Sequence, residues 1–430
     1  MPSYLSLDDT ALQRELAALT ERYAFHRAQS YSLKMVRGVP SPAQLDLSRT
    51  LETVLQAGDY RAEDGTDCRN YGGLEGIPEA RRLFSELLHT SPDNILVFGN
   101  SSLNLMYDTI VAAILSPVPG ADKPWSQVER PAFLCPSPGY DRHFSITERL
   151  GFENIPIAMT PTGPDMDAVE KRVASDARIK GIWCVPVYSN PDGIVYDEAT
   201  CRRLASMAAA PDFRIFWDNA YGQHHLYPEH KSSVPDMLSL CEEAGHPDRV
   251  YAFTSTSKIT YAGAGVSCMA ASPANLAYRK QVMFYQTIGH DKMNQLRHVR
   301  FLRDRAGVEQ LMEKHAKILR PKFEAVLGML EEELSQTGIA RWNKPMGGYF
   351  ISLFAYPGTA TEAVEAARAC GVEFTPAGAT YPGGIDPDDS NIRIAPTFPP
   401  LGEVKTAAEV LCICVRMTAV RKILRDRATA

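Results

Sequence analysis

IKGIWCVPVYSNPDGIVYDEATCRRLASMAAAPDFRIFWD, residues 179–218, is the stretch on which the fold turns. Its ends, IKGIWCVPV (179–187) and FRIFWD (213–218), are largely apolar runs of strand length, the pattern expected of strands buried on both faces. Between them DEATCRRLASMAA opens at Asp197, an acid suited to cap a helix. Strand, helix and strand in that order predict a parallel pair with its crossover. The alternation continues outward through ILVF (95–98), AFLC (132–135), IPIAM (155–159) and VYAFT (250–254). Helix-patterned DMDAVEKRVAS, and EARRLFSELLHT after Pro78, lie among them. The expected class is α/β, a mostly parallel sheet sandwiched by helices.

Past residue 300 the pattern changes to a long helical stretch, GVEQLMEKHAKILRPKFEAVLGMLEEELSQTG, followed by GGYFISLF, VEFTP, IRIAP and a helical C-terminus. We expect a large α/β domain over residues 50–300. A smaller α+β domain should form from residues 1–49 and 301–430, because a lone helix from Asp8 or Asp9 to His26 cannot form a core and must pack back. GGIDPDDSN reads as an exposed turn with solvated charges.

With 45% hydrophobic and 22% charged residues, the 430-residue chain has the composition of a soluble globular protein. A net charge of -6 argues against binding to nucleic-acid backbones. The start lacks a basic segment followed by an apolar run, and no run of about 18 apolar residues occurs, so the expectation is a cytoplasmic protein with no membrane partner. Nine scattered cysteines, an odd number, fit reduced thiols, and the close pair Cys412 and Cys414 reads as buried packing. No metal site is expected.

The chemistry starts at TSTSK, residues 254–258, which follows VYAFT and precedes the glycine-rich AGAG. A lysine at the end of a core strand is desolvated, which lowers its pKa and frees the neutral amine for imine formation; most lysines are instead solvated surface residues. FWDNAY (216–221) ends an apolar run at Asp218, a buried carboxylate that needs a partner, such as a protonated pyridinium nitrogen. The competing reading is a cap for a helix beginning at Asn219. Tyr221 and Asn190, in VYSNPDG, stand where they can reach a phenolic oxygen, although Asn190 also suits a plain turn. GNSSLN (99–104) opens a helix with Ser101 and Ser102, a phosphate-binding arrangement or a simple N-cap, and Ser255 and Ser257 lie on the lysine loop.

Taken together and in this order, the motifs resemble fold-type I pyridoxal-phosphate aminotransferases from RGVP near residue 37 to IRIAPTF near 397, and in particular a divergent bacterial aspartate aminotransferase branch. The resemblance implies pyridoxal 5'-phosphate as cofactor and Lys258 as the residue that holds its aldehyde. Tyr140 in SPGYDRHF would stack on the pyridine ring. Tyr71 in YGGLEGIPEAR would reach the phosphate of a neighbouring subunit, implying a homodimer with shared active sites. Arg393 in NIRIAPTF would grip the substrate α-carboxylate with its planar fork, and Gly38 would line the substrate pocket. An exposed arginine is the alternative, disfavoured because Arg393 lies in an apolar run.

The chain departs from the family where an arginine usually follows the lysine by about eight residues: ITYAGAGVS offers none. Asn-Pro-Asp-Gly also replaces the more usual Asn-Pro-Thr-Gly. The expected reaction is ping-pong transfer from an L-amino acid, aspartate first and alanine or an aromatic amino acid next, to 2-oxoglutarate. A dicarboxylic substrate needs a second cation, for which HDKMNQLRHVR offers Lys292, Arg297 and His298, with Lys292 preferred; a charge on a solvated helix face is its plain alternative. β-Elimination is a rival chemistry, and decarboxylation is disfavoured by a carboxylate-gripping Arg393. A regulator's cofactor-binding domain is disfavoured because only about seventy residues precede YGGLEG, too few for an attached DNA-binding domain as well.

Overall fold

A computed structural model describes residues 3–429. Its centre is an eight-stranded sheet in the spatial order Ile95–Val97, Ser267–Ala271, Val250–Ser255, Arg214–Asp218, Ile179–Cys184, Ala132–Ser137, Glu153–Thr160 and Gly163–Pro164. The strands from Val250–Ser255 to Glu153–Thr160 pair in parallel. Ser267–Ala271 is antiparallel to both neighbours, and Gly163–Pro164 closes a short antiparallel edge. Successive residues along the central strands point to opposite faces. Leu134, Ile182, Ile215 and Ala252 therefore join one apolar core, while Phe133, Trp183, Phe216 and Phe253 join another.

Ser267–Ala271 was not among the strands expected from the sequence. SCMAA lacks β-branched and aromatic residues, so only its place between two strands makes it extended. IKGIWCVPV is extended only over Ile179–Cys184. The remainder leaves the ladder, and Tyr188 adopts a left-handed backbone, φ 52°. Helices Met166–Ser175 and Glu198–Ser206 are capped by Asp165 and Asp197, whose carboxylates accept first-turn N–H groups.

A third core gathers around the C-terminal helix Leu401–Thr429, the helix Arg305–Leu334 and the three-stranded sheet Arg341–Trp342, Ile351–Phe354, Asn391–Ile394. The helix Asp9–Ala28 packs onto it through Leu12 and Leu19. Polar ties reinforce the contact: Arg22 pairs with Glu333 at 2.9 Å, and Arg416 reaches Glu15, Glu333 and Tyr4. In GGIDPDDSN two acids are not simply solvated. Asp386 accepts the N–H groups of Ser390 and Asn391, and Asp389 accepts from Thr361. All nine cysteines are buried free thiols. Among the described residues no helix is long and apolar enough to cross a membrane, and no cluster of His, Cys, Asp and Glu is arranged to hold a metal.

Candidate active site

Four parallel strands end on one side of the sheet, and the segments that leave them carry Tyr140, Asn190, Asp218 and Lys258. Ligands of open α/β sheets collect at such carboxyl ends. Asp218 is the last residue of its strand and 3% exposed. No helix follows at Asn219, so the capping alternative does not hold. One carboxylate oxygen, Oδ2, lies 3.1 Å from His143 Nε2, while Oδ1 is buried with no partner. A buried acceptor left open beside a cleft fits a cationic ring N–H, and this is the observation that accommodates a pyridinium nitrogen.

Lys258 keeps part of its surface open, yet its amine is enclosed enough for desolvation to pull its pKa down, with Asp218 opposing the shift. Its Nζ stands 4.9 Å from the ring centre of Tyr221. Its carbonyl oxygen accepts from His224 Nε2 at 3.3 Å and Tyr349 Oη at 3.4 Å. Burial holds His224 neutral and, together with Tyr140 and Asp218, pushes the Tyr221 phenol well up, so Tyr221 stays a proton donor. Tyr140 is half-buried, with its phenol pushed up to about 12, mainly by burial.

Ser255 and Ser257 are tied to Asn100, the residue that precedes Ser101 and Ser102. Ser257 Oγ donates to Asn100 O at 3.0 Å and accepts from Ser255 Oγ at 3.2 Å, while Asn100 Oδ1 accepts the N–H of Gly265 at 2.6 Å. A Cβ on Gly265 would lie 3.1 Å from Asn100 O and Ser257 Oγ, so glycine permits the approach of the two loops. Ser101 caps the helix Ser102–Leu115 by accepting from Leu103 N at 3.2 Å, the plain role that serine has at such a position. The cradle thus combines a helix N-terminus with hydroxyls, an anion-binding combination. Val266, eight residues past Lys258, is buried in an apolar core and contributes no charge.

Arg393 lies in the strand Asn391–Ile394 and is 7% exposed. Its Nη1 donates to Asp141 Oδ1 at 2.8 Å and to Asn190 Oδ1 at 3.3 Å, and Nε donates to Thr375 Oγ1 at 3.3 Å. Its guanidinium carbon stands 5.1 Å from the centre of the Phe350 ring. A Cβ on Gly38 would sit 2.4 Å from Phe350 Cζ, which places Gly38 against the ring that supports the arginine.

Two expected site residues stand apart from this group. Tyr71 is 82% exposed on a loop. Lys292 is 3% exposed, and its ammonium donates to the carbonyls of Asn70 at 2.8 Å and Gly72 at 2.5 Å. Two of its three N–H donors thus fasten the loop that bears Tyr71. The solvated-face alternative fails, because the residue is buried. His298 is likewise committed, to Thr260 and Asn294. Sequence reasoning missed His143, whose ring stacks on Trp183 at 4.3 Å, and Asp141. His143 lies three residues beyond Tyr140 in the first turn of the helix Asp141–Arg149, a helical spacing that could have signalled it.

The mostly parallel sheet, with a desolvated lysine and an open-ended buried acid at its strand ends, defines the class as that of fold-type I aminotransferases. A family model for aspartate amino-transferase matches residues 7–427. An aspartate aminotransferase of Corynebacterium glutamicum is 45% identical over 394 residues, 91% of each chain. A crystal structure of an aspartate transaminase from Corynebacterium glutamicum superposes with a TM-score of 0.96 at 42% identity, covering 98% of this chain and 99% of that one. The fold extends to an α-aminoadipate aminotransferase of Thermus thermophilus, TM-score 0.73 at 19% identity, covering 98% and 97% of the two chains. The chain belongs to the aspartate aminotransferase family, and it is an aminotransferase.

Proposed function

We propose that this enzyme moves the amino group of L-aspartate to 2-oxoglutarate in a ping-pong cycle, with pyridoxal 5'-phosphate in the cleft described above. Bound there, the cofactor supplies an aldehyde and a ring that absorbs the electrons released at the substrate Cα. Asp218 Oδ1 would accept the ring N–H, Tyr221 and Asn190 would take the phenolic oxygen, and Tyr140 would cover the ring face. Ser101, Ser102, Ser255 and Ser257, with the helix N-terminus, hold the phosphate without the arginine usual after the lysine. Lys258 would hold the aldehyde, and its neutral Nζ, when free, would take the Cα proton of the bound substrate and return it.

Arg393 grips the α-carboxylate, and Gly38 lines the pocket behind it. Aspartate is favoured by the relatives named aspartate aminotransferase, at 42% and 45% identity. Exposed Tyr71 fits a partner's phosphate in a homodimer with shared sites. We also propose a division into residues 50–300 and the remainder, and a cytoplasmic location. The observation that carries the reading is the buried, partnerless Oδ1 of Asp218 in the same cleft as a desolvated Lys258.

Purified protein supplied with the cofactor and a panel of amino donors tests it: glutamate should form from aspartate and 2-oxoglutarate, and Lys258→Ala should abolish it. Elimination products without glutamate would reject transamination.

A further inference from the structure

The arginine assigned to the substrate already holds a carboxylate of its own chain. Asp141 Oδ1 lies 2.8 Å from Arg393 Nη1, and the two side chains are 34% and 7% exposed. A guanidinium so buried is costly to leave bare. Asp141 is less bound to its place. As the first residue of the helix Asp141–Arg149 it sits at the positive end of nine residues of aligned peptide dipoles, which favour its charge whether or not Arg393 is in contact. Its partial exposure gives it somewhere to turn.

We propose that Asp141 is a surrogate carboxylate. It pairs Arg393 while the site is empty and is exchanged for the carboxylate of the incoming substrate. The proposal rests on the reading of Arg393 as the carboxylate grip. A carboxylate gripped end-on across both Nη atoms needs Nη1, the atom Asp141 occupies, and two carboxylates on one Nη1 repel each other. Asn190 accepts from Nη1 as well, through its second N–H, and Thr375 from Nε, so neither neutral partner has to leave. The exchange also selects. A substrate with an α-carboxylate restores the ion pair it breaks, whereas an amine or an amino amide cannot, and leaves Asp141 in place. Asp141 is thus a specificity-determining residue that favours amino acids over their decarboxylated or amidated analogues.

Calorimetric titration of the cofactor-loaded enzyme with maleate, a dicarboxylate with no amine to react, provides the test. Asp141→Asn and Asp141→Ser should each tighten maleate about tenfold, because no internal rival remains, and Arg393→Lys should weaken it about 100-fold. A crystal structure of the wild-type maleate complex should show the Asp141 carboxylate withdrawn from Arg393. Maleate binding unchanged or weakened in both Asp141 variants, or Asp141 still on Nη1 in the complex, would make Asp141 a fixed partner and overturn the proposal. Undiminished binding by Arg393→Lys would instead overturn the reading of Arg393, and the proposal with it.

Discussion

His143 Nε2 stands 3.1 Å from Oδ2 of Asp218, with its ring flat against Trp183 at 4.3 Å and an 8° interplanar angle. The stack fixes the imidazole, the imidazole fixes one carboxylate oxygen, and Oδ1 is left as the open acceptor. Asp218→Asn should therefore weaken cofactor retention and kcat/KM by about 10²–10³-fold, the scale of breaking a buried ion pair. His143→Phe, which keeps a flat ring on Trp183 but removes the hydrogen bond, should cost about 10–100-fold. Equilibrium dialysis of the cofactor and steady-state kinetics measure both; equal effects of the two variants would contradict this order.

Lys258 carries a pH signature in the cofactor-free protein. Its folded pKa lies below the ordinary 10.5 because burial disfavours the ammonium. Between the folded and unfolded values the unfolded chain binds more protons, so stability rises with pH across that window, and the burden of the buried charge is full below it. Lys258→Met should raise the melting temperature at neutral pH, by about 1 °C per kcal/mol relieved, and the gain should vanish above about pH 10.5. Calorimetric melts from pH 7 to 11 check it, and a gain independent of pH would assign the effect to packing.

The places of Lys258 and Asp218 at strand ends were legible in the sequence, because Asp218 closes and Lys258 closely follows an apolar run of strand length. Their common side of the sheet follows from parallel order, which the strand and helix alternation already implied. The strand Ser267–Ala271 was not legible, since small residues carry no strand pattern and its conformation is imposed by neighbours. Nor was the fate of Lys292. A basic helix in the sequence reads alike whether its ammonium meets solvent, a substrate or, as here, two carbonyls some 220 residues away. Asp141 was hidden for the same reason, since its partner Arg393 lies 252 residues on.

Gly38 links the N-terminal segment to Arg393, the proposed carboxylate grip, through Phe350. That ring is 6% exposed and supports Arg393, so a new Cβ 2.4 Å from Cζ cannot be absorbed by a free side chain. Gly38→Val should destabilise the protein by about 1–3 kcal/mol, in the range of core overpacking. It should also raise KM for the amino donor more than it lowers kcat, because the displaced ring tilts the guanidinium. Denaturant titration and steady-state kinetics test both effects; an unchanged KM would separate Phe350 from substrate binding.

Asp192 occupies the position where Asn-Pro-Thr-Gly is more usual. It is 3% exposed, and its Oδ1 is buried without a partner. Burial raises its pKa to about 6, opposed by the Ser352 hydroxyl and the charge of Arg341. The folded chain therefore binds more protons than the unfolded chain between about pH 4 and 6, so this group makes the protein less stable as pH rises through that window. Above it the carboxylate is charged, and the cost reaches at most about 3 kcal/mol. Asp192→Asn, which keeps the shape, should raise the denaturation midpoint at pH 8 and leave it nearly unchanged near pH 4. Asp192→Thr should show the same trend, less whatever packing the smaller side chain loses. Urea titrations at half-unit steps from pH 4 to 8 measure the dependence. A midpoint difference that stays flat across the range would mean that Asp192 is charged throughout, held by Arg341 rather than penalised by its surroundings.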